Sequence, residues 1–286
     1  MKCKLQGCQV NMLSATALLL MMITACKKED NPAAHASLAV ISTLAPTDIT
    51  PISAECGGKI TSGGESAWVR GICWNTAHDP TVNSFVNFNA VQGNGTYSFA
   101  LTGLKPATTY YARAYLTNAA GTSYGNEVTF TTPTLSLGLN LLDGIVYYID
   151  STGQHGLVTA KADQGTFTWA NGPFITTGAT SYTDGYTNTG FILAELGNSG
   201  SYAALACYNY FLGYYGCCGN FWFLPSKDQL SLMYYQKDLV GGFANLRYWS
   251  SSESDSSHAW SQDFSNGQQD TSDKSSVYGV RAIRSF

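Results

Sequence analysis

Between residues 53 and 131 apolar and polar residues alternate in six short runs, none with a helical period. The runs are Ser53–Ile60, Ala67–Trp74, Phe85–Val91, Thr96–Leu101, Thr109–Thr117 and Thr122–Thr131, broken by turn-forming stretches such as "TSGG" and "NAAG". A period of two sends successive side chains to opposite faces, so one face of each strand must find cover against a second layer. Short strands at regular spacing therefore predict a β-sandwich over residues 38–133. In the fifth run Tyr110, Ala112, Ala114 and Leu116 are expected to face the core, with Tyr111, Arg113, Tyr115 and Thr117 outside. "GTSYG", Gly121 to Gly125, fits the G-x-S-x-G pattern of hydrolases. That chemistry needs a strand, a sharp elbow and a helix, whereas these residues lie between two strand candidates and read as a turn.

The run "LTGLKPATTYYARAYLTNAAGTSYGNEVTFTT" resembles the last strands of a fibronectin type III domain. Leu104, Pro106, Thr108 and Tyr110 carry the pattern, and the resemblance implies that the Tyr110 hydroxyl satisfies backbone at a strand corner. The upstream "AECGGKITSGG" and "WVRGICWNT" resemble the bacterial surface-protein variant of the same domain. The expected fold of this part is thus an all-β, Ig-like/fibronectin III sandwich.

Helical signals enter only after "TTPTLSLG". Asn188 or Thr189 offers an N-cap for a helix through "GFILAELG", and Ser201 one for a helix through "YAALACYNYFL". Ser226 and Gln229 make a capping-box pattern that places Leu230, Met233 and Tyr234 on one apolar face. "GIVYYID", "LVTAKAD" and "VYGVRAIRSF" read as strands, and Asn266-Gly267 marks a hairpin. Strand, helices, then strands again predicts an α+β domain over residues 139–286 whose terminal strands pair. The blocks "GIVYYIDSTGQHGLVTA", "FWFLPSKDQL", "YWSSSE", "AWSQDFSNGQQ" and "VRAIRSF" occur in the order of the Lcl-C-type domain, which this part resembles. The resemblance implies a C-type-lectin-like fold, with Trp249 and Trp260 anchoring the core and the serines of "YWSSSE" alternating or filling a loop.

The N-terminus sets the compartment. Lys2 and Lys4 precede the uncharged "MLSATALLLMMITA", whose 14 residues suit a signal-peptide core and fall short of a bilayer span. "ITAC" resembles a bacterial lipobox, which implies cleavage after residue 25 and a lipid on Cys26. Residues 26–37 then form a flexible tether, and "KKED" resembles the export signal of surface lipoproteins. The expected location is the outer membrane, facing outwards. Loss of the signal takes Lys2 and Lys4 and no acid, moving the net charge from −4 to −6. That charge lacks the basic footprint of nucleic-acid binding.

Cys56, Cys73, Cys207, Cys217 and Cys218 remain after lipidation, in a compartment that permits disulfides. Cys56 and Cys73 are either a bridge between the sheets or two buried thiols, and a bridge from Cys207 to Cys217 or Cys218 is favoured over zinc. No cofactor, metal or catalytic group is expected. Glu253, Asp255, Asp263, Asp270 and Asp273 are hard oxygen ligands, but the Glu-Pro-Asn and Trp-Asn-Asp triplets of calcium-dependent lectins are missing. A triad of a loop serine with His258, oriented by Asp255 or Asp263, is the disfavoured reading of the serine-rich segment. The expected function is a non-catalytic, lipid-anchored surface protein that binds a glycan, a matrix polymer or another surface protein. A docking subunit of a surface assembly and an enzyme on a lectin-like fold are the alternatives. Loops on rigid scaffolds carry recognition, which singles out Tyr214, Tyr215, Asn220, Glu253, Asp255 and His258 as ligand contacts.

Overall fold

The computed structural model describes residues 37–63, 67–172, 175–210 and 222–286. Its first part holds β1 (Val40–Thr43), β2 (Ser53–Ser62), β3 (Ala67–Asn75), β4 (Phe85–Asn89), β5 (Gly95–Thr102), β6 (Thr109–Asn118), β7 (Gly121–Tyr124) and β8 (Val128–Thr131). One sheet runs β1-β2-β5; the facing sheet runs β4-β3-β6-β7, with β8 also on β6. This is a β-sandwich of the fibronectin type III kind. The expected corner is present: Tyr110 is buried and the Lys105 amide donates to its hydroxyl at 2.9 Å.

Ala54, Cys56 and Ile60 of β2 meet Ile72, Trp74, Ala112, Ala114 and Leu116 across the core. Glycine is required at Gly58, where a Cβ would lie 2.7 Å from both the Ala114 Cβ and the Tyr97 hydroxyl. That hydroxyl lies 3.0 Å from the Gly71 carbonyl and 3.1 Å from that of Tyr115, so Tyr97 on one sheet ties down two strands of the other.

Three expectations change here. Cys56 and Cys73 do not form a bridge, because Ile72 and Trp74 take the inward face of β3 and leave Cys73 on the outer one. Its thiol donates to the Pro80 and Arg113 carbonyls. Burial pushes the Cys56 thiol up to about 12 and that of Cys73 to about 11, so both are inert at neutral pH. Tyr115, on the outer face, is nevertheless buried, because its cross-strand partner Gly71 has no side chain and the ring lies over it. The strand expected over residues 122–131 is split at Gly125, where a Cβ would sit 2.5 Å from Thr43 Oγ1 at the end of β1. Ser123 of "GTSYG" thus sits within a strand that leads to another strand.

The second part is α+β with few helices. A sheet of order β17-β11-β10-β9 uses β9 (Asn140–Leu141), β10 (Gly144–Ile149), β11 (Gly156–Ala160) and β17 (Ile283–Ser285). A second, of order β12-β16-β13-β14-β15, uses β12 (Gly165–Phe167), β13 (Arg247–Glu253), β14 (His258–Asp263), β15 (Gln269–Asp273) and β16 (Tyr278–Val280). The expected pairing of early and late strands holds, with β17 antiparallel to β11. Around the sheets lie α1 (Gly185–Leu196), α2 (Ala203–Tyr208), α3 (Lys227–Tyr235) and α4 (Lys237–Val240). Among the described residues no helix is long and apolar enough to cross a membrane.

The capping box of α3 forms as expected, and Leu230 and Met233 are buried behind it. The start of α1 lies earlier than expected. Asp184 accepts the Thr187 amide, which frees Asn188 and Thr189 for tertiary work. Asn188 bonds Ser181, and the Thr189 hydroxyl accepts the Leu224 amide. Helix α2 has no side-chain cap; its first amide, at Ala203, donates to Thr168 O instead of leaving Ser201 to serve it.

The serines of "YWSSSE" neither alternate across the sheet nor fill a loop. Pairing runs Trp249 to Ser261 and then Glu253 to Ala259, so β13 carries two residues more than β14 over the same span. The bulge turns Ser250, Ser251 and Ser252 into the interior, all fully buried. Their groups satisfy the backbone displaced from the ladder. Ser250 Oγ donates to Trp260 O, the Ser251 amide to Pro225 O, and Ser252 Oγ to Ser181 O while accepting the Lys227 amide.

Candidate functional site

Tyr214, Tyr215 and Asn220, together with Cys217 and Cys218, lie outside the described residues; Cys207 is a fully buried free thiol. Of the six expected ligand contacts, Glu253, Asp255 and His258 are placed, around the β13–β14 turn.

Glu253 is no surface contact. The bulge carries it inwards, where its carboxylate meets the Lys274 ammonium at 2.5 Å, with side chains 1% and 0% exposed. The Thr177 and Gly178 amides also donate to it. Lys274 spends its remaining donors on the carbonyls of Ile175 and Ser256 and lies 4.5 Å from the Trp169 ring centroid. A carboxylate enclosed in this way holds the fold and has no face left for a ligand.

Asp255 and His258 are exposed but bound to one another. Asp255 Oδ1 accepts the amides of Ser257 and His258, each at 2.8 Å, and faces His258 Nδ1 at 3.0 Å. Ser257 Oγ lies 3.1 Å from that same Nδ1. A triad needs the carboxylate and the serine on opposite ring nitrogens, so this arrangement is a turn brace. Asp263 stands at the other end of β14, bonded to Ser265. The pattern recurs as Asp-x-Ser/Thr: Asp150 with Thr152, Asp255 with Ser257, Asp263 with Ser265 and Asp273 with Ser275, each aspartate accepting both the amide and the hydroxyl two residues on. Asp270 accepts the Thr271 amide. The acids weighed as calcium ligands are dispersed in this way, and no group of three or more metal-binding side chains occurs among the described residues.

The Ser257 amide, and then the His258 side chain, hold the Asp255 carboxyl well below its ordinary value of 3.8. A depressed value means that the folded form favours the ionised group. The contribution to stability is therefore present above 3.8 and fades as the pH falls through the folded value. Asp255→Asn should accordingly lower the melting temperature at about pH 5, and the gap from the parent protein should close towards about pH 2. Thermal melts across that range check this; a gap that stays constant would assign the loss to geometry alone.

The outer face of β14 offers more. Half-buried His258 and Trp260 share it with buried Gln262, opposite Asp273, Thr271 and Gln269 of β15. Trp260 does not anchor the core as expected. Trp249 pairs with Ser261 and takes the inner face, which leaves Trp260 on the outer one. Tyr182, 44% exposed, meets it edge-on with centroids 5.9 Å apart. Lys227, at the start of α3, places its ammonium 3.6 Å from the Trp260 centroid and 4.7 Å from that of Tyr182. The Trp260 indole N–H is buried with no acceptor among the described residues. The "HAWSQ" alternation signals that His258 and Trp260 share a face; nothing local in the sequence signals Tyr182. Such a strip presents aromatic surface to an apolar ring face, with Thr271 and Gln269 as neutral hydrogen-bonding neighbours.

No family model matches the sequence, and no curated protein matches it. Solved structures similar to the sandwich include the sensor domain of the anti-sigma factor RsgI4 of Pseudobacteroides cellulosolvens, 23% identical over 35% of this chain and 98% of that one, with a TM-score of 0.28. The sixth fibronectin type III domain of human fibronectin type III domain containing protein 3 is 20% identical over 35% of this chain and 86% of that one, with a TM-score of 0.24. A fimbrial protein from Bacteroides ovatus is 13% identical over 76% of this chain and 64% of its own length, with a TM-score of 0.39. At these scores nothing about function passes to this chain. The fibronectin type III-like character of residues 38–133 rests on the strand order and the corner tyrosine.

Proposed function

We propose that this chain is a non-catalytic, lipid-anchored protein of the outer surface, in which the sandwich is a spacer and residues 139–286, a C-type-lectin-like domain, bind a glycan. The observation that carries the glycan reading is the pairing of half-buried Trp260 on β14 with exposed Tyr182 just before α1, beside the neutral side chains of Gln269 and Thr271. A pyranose ring has an apolar face that stacks on such a pair and a hydroxyl rim that suits Gln269 and Thr271. The anchor reading rests on the apolar N-terminal run and Cys26.

A glycan array probed with the mature protein should give signals that survive a chelator, because among the described residues the acids are dispersed and form no group of three or more metal-binding side chains. Trp260→Ala should weaken the strongest of them about tenfold or more, the equivalent of about 1.4 kcal/mol. Binding that ignores Trp260, or that a chelator abolishes, overturns the site. Cys26→Ala should release the protein from membranes, and unchanged membrane association overturns the anchor.

A further inference from the structure

We infer that the glycan held at Trp260 and Tyr182 carries protonated amines, that is, a hexosamine polymer with free amino groups. This rests on the glycan reading above and narrows its ligand class. The two rings already hold an ammonium, that of Lys227, and no carboxylate or hydrogen-bond acceptor among the described residues engages its Nζ. A cation over the faces of Trp and Tyr is drawn by the ring quadrupoles, an attraction that a ligand ammonium in the same place would share. Lys227 is therefore a displaceable occupant, and the place it takes over the two rings has the sign for a sugar ammonium.

The charges around the strip point the same way. Asp228 follows Lys227 on the first turn of α3 and is exposed, and Asp273 faces His258 across the β14–β15 ladder beside Asp255. Lys227 and His258 are the basic groups on that face. Two effects oppose a cation, the positive end of the α3 dipole and Lys227 itself. The first is blunted because the leading amides of α3 already donate to Ser252 Oγ, Tyr182 O and Ser226 Oγ. The second ends when Lys227 swings out. A ligand carboxylate would instead meet the negative ring faces and require Lys227 to leave them. A hexosamine unit supplies both parts of the match: an ammonium for the place Lys227 takes over the rings and a ring face for the indole.

Titration calorimetry of the mature protein with glucosamine oligomers and their N-acetylated counterparts of equal length tests this, at a pH where the sugar amine is protonated. The free-amine oligomers should bind about tenfold more tightly. Lys227→Met, which removes the competing ammonium and its like charge, should tighten them several-fold, and Trp260→Ala should abolish the preference. Equal or tighter binding of the N-acetylated oligomers, still sensitive to Trp260, overturns the amine assignment and leaves glycan binding standing. Weaker binding after Lys227→Met makes Lys227 a ligand contact and also overturns it. Failure of both oligomers to bind overturns it too, and the glycan reading then stands or falls on the array alone.

Discussion

Glu253→Ala should destabilise the second part by about 3–5 kcal/mol, because it strands the fully buried Lys274 ammonium without its counter-charge. For a domain of this size each kcal/mol moves the melting temperature by roughly 2–4 °C, so the midpoint should fall by roughly 6–20 °C. Replacing both partners with apolar residues, as in Glu253→Leu with Lys274→Met, removes the orphaned charge. It still leaves the Thr177 and Gly178 amides without an acceptor, so only part of the loss should return. Denaturant melts of the three proteins measure this. A single-variant loss under about 1 kcal/mol would mean that water reaches the pair.

The second large effect separates two tryptophans eleven positions apart. Trp249 is fully buried, its indole N–H donates to Phe167 O, and its ring lies 4.6 Å from that of Tyr278. Trp249→Ala removes one of the largest side chains in the core and should cost about 3–5 kcal/mol. Trp260→Ala removes a half-buried ring on the outer face and should cost less, about 1–2 kcal/mol. Paired melts decide the assignment: equal losses would place both residues in the core and remove the basis for a platform on β14.

How much of this was legible depended on how local each cause was. The capping box of α3 spans four residues, and the strand alternation around Tyr110 spans seven; both are printed in consecutive positions. The Asp-x-Ser/Thr turns are equally local, and Asp255, Asp263 and Asp273, weighed as calcium ligands, turn out with Asp150 to brace loops. What eluded the sequence depends on the two-residue bulge in β13. Without it, alternation sends Glu253 and His258 to the same loop as exposed neighbours; the anchoring of both tryptophans comes from the resemblance, not from alternation, which already sets Trp249 and Trp260 on opposite faces. With it, Glu253 finds Lys274 at a separation of 21 residues, and Tyr182 arrives beside Trp260 from 78 positions away. The unmade Cys56–Cys73 bridge has a similar origin: each strand shows its own alternation, but only the facing sheet decides which set points inwards.

The pairing of β17 with β11 also sets a timetable. Thr159 meets Ile283, and Ile283 in turn bridges to Phe223 and sits in the core beside Met233 and Phe264. More than a hundred residues must therefore emerge from the ribosome between one edge of that sheet and its cover, and closing so long a loop is slow. Until residues 278–285 appear, neither β16 nor β17 is present to complete the two sheets, and the second part cannot lock. The export proposed above would make that delay useful, because a chain that must travel a narrow channel unfolded would be one that cannot yet fold.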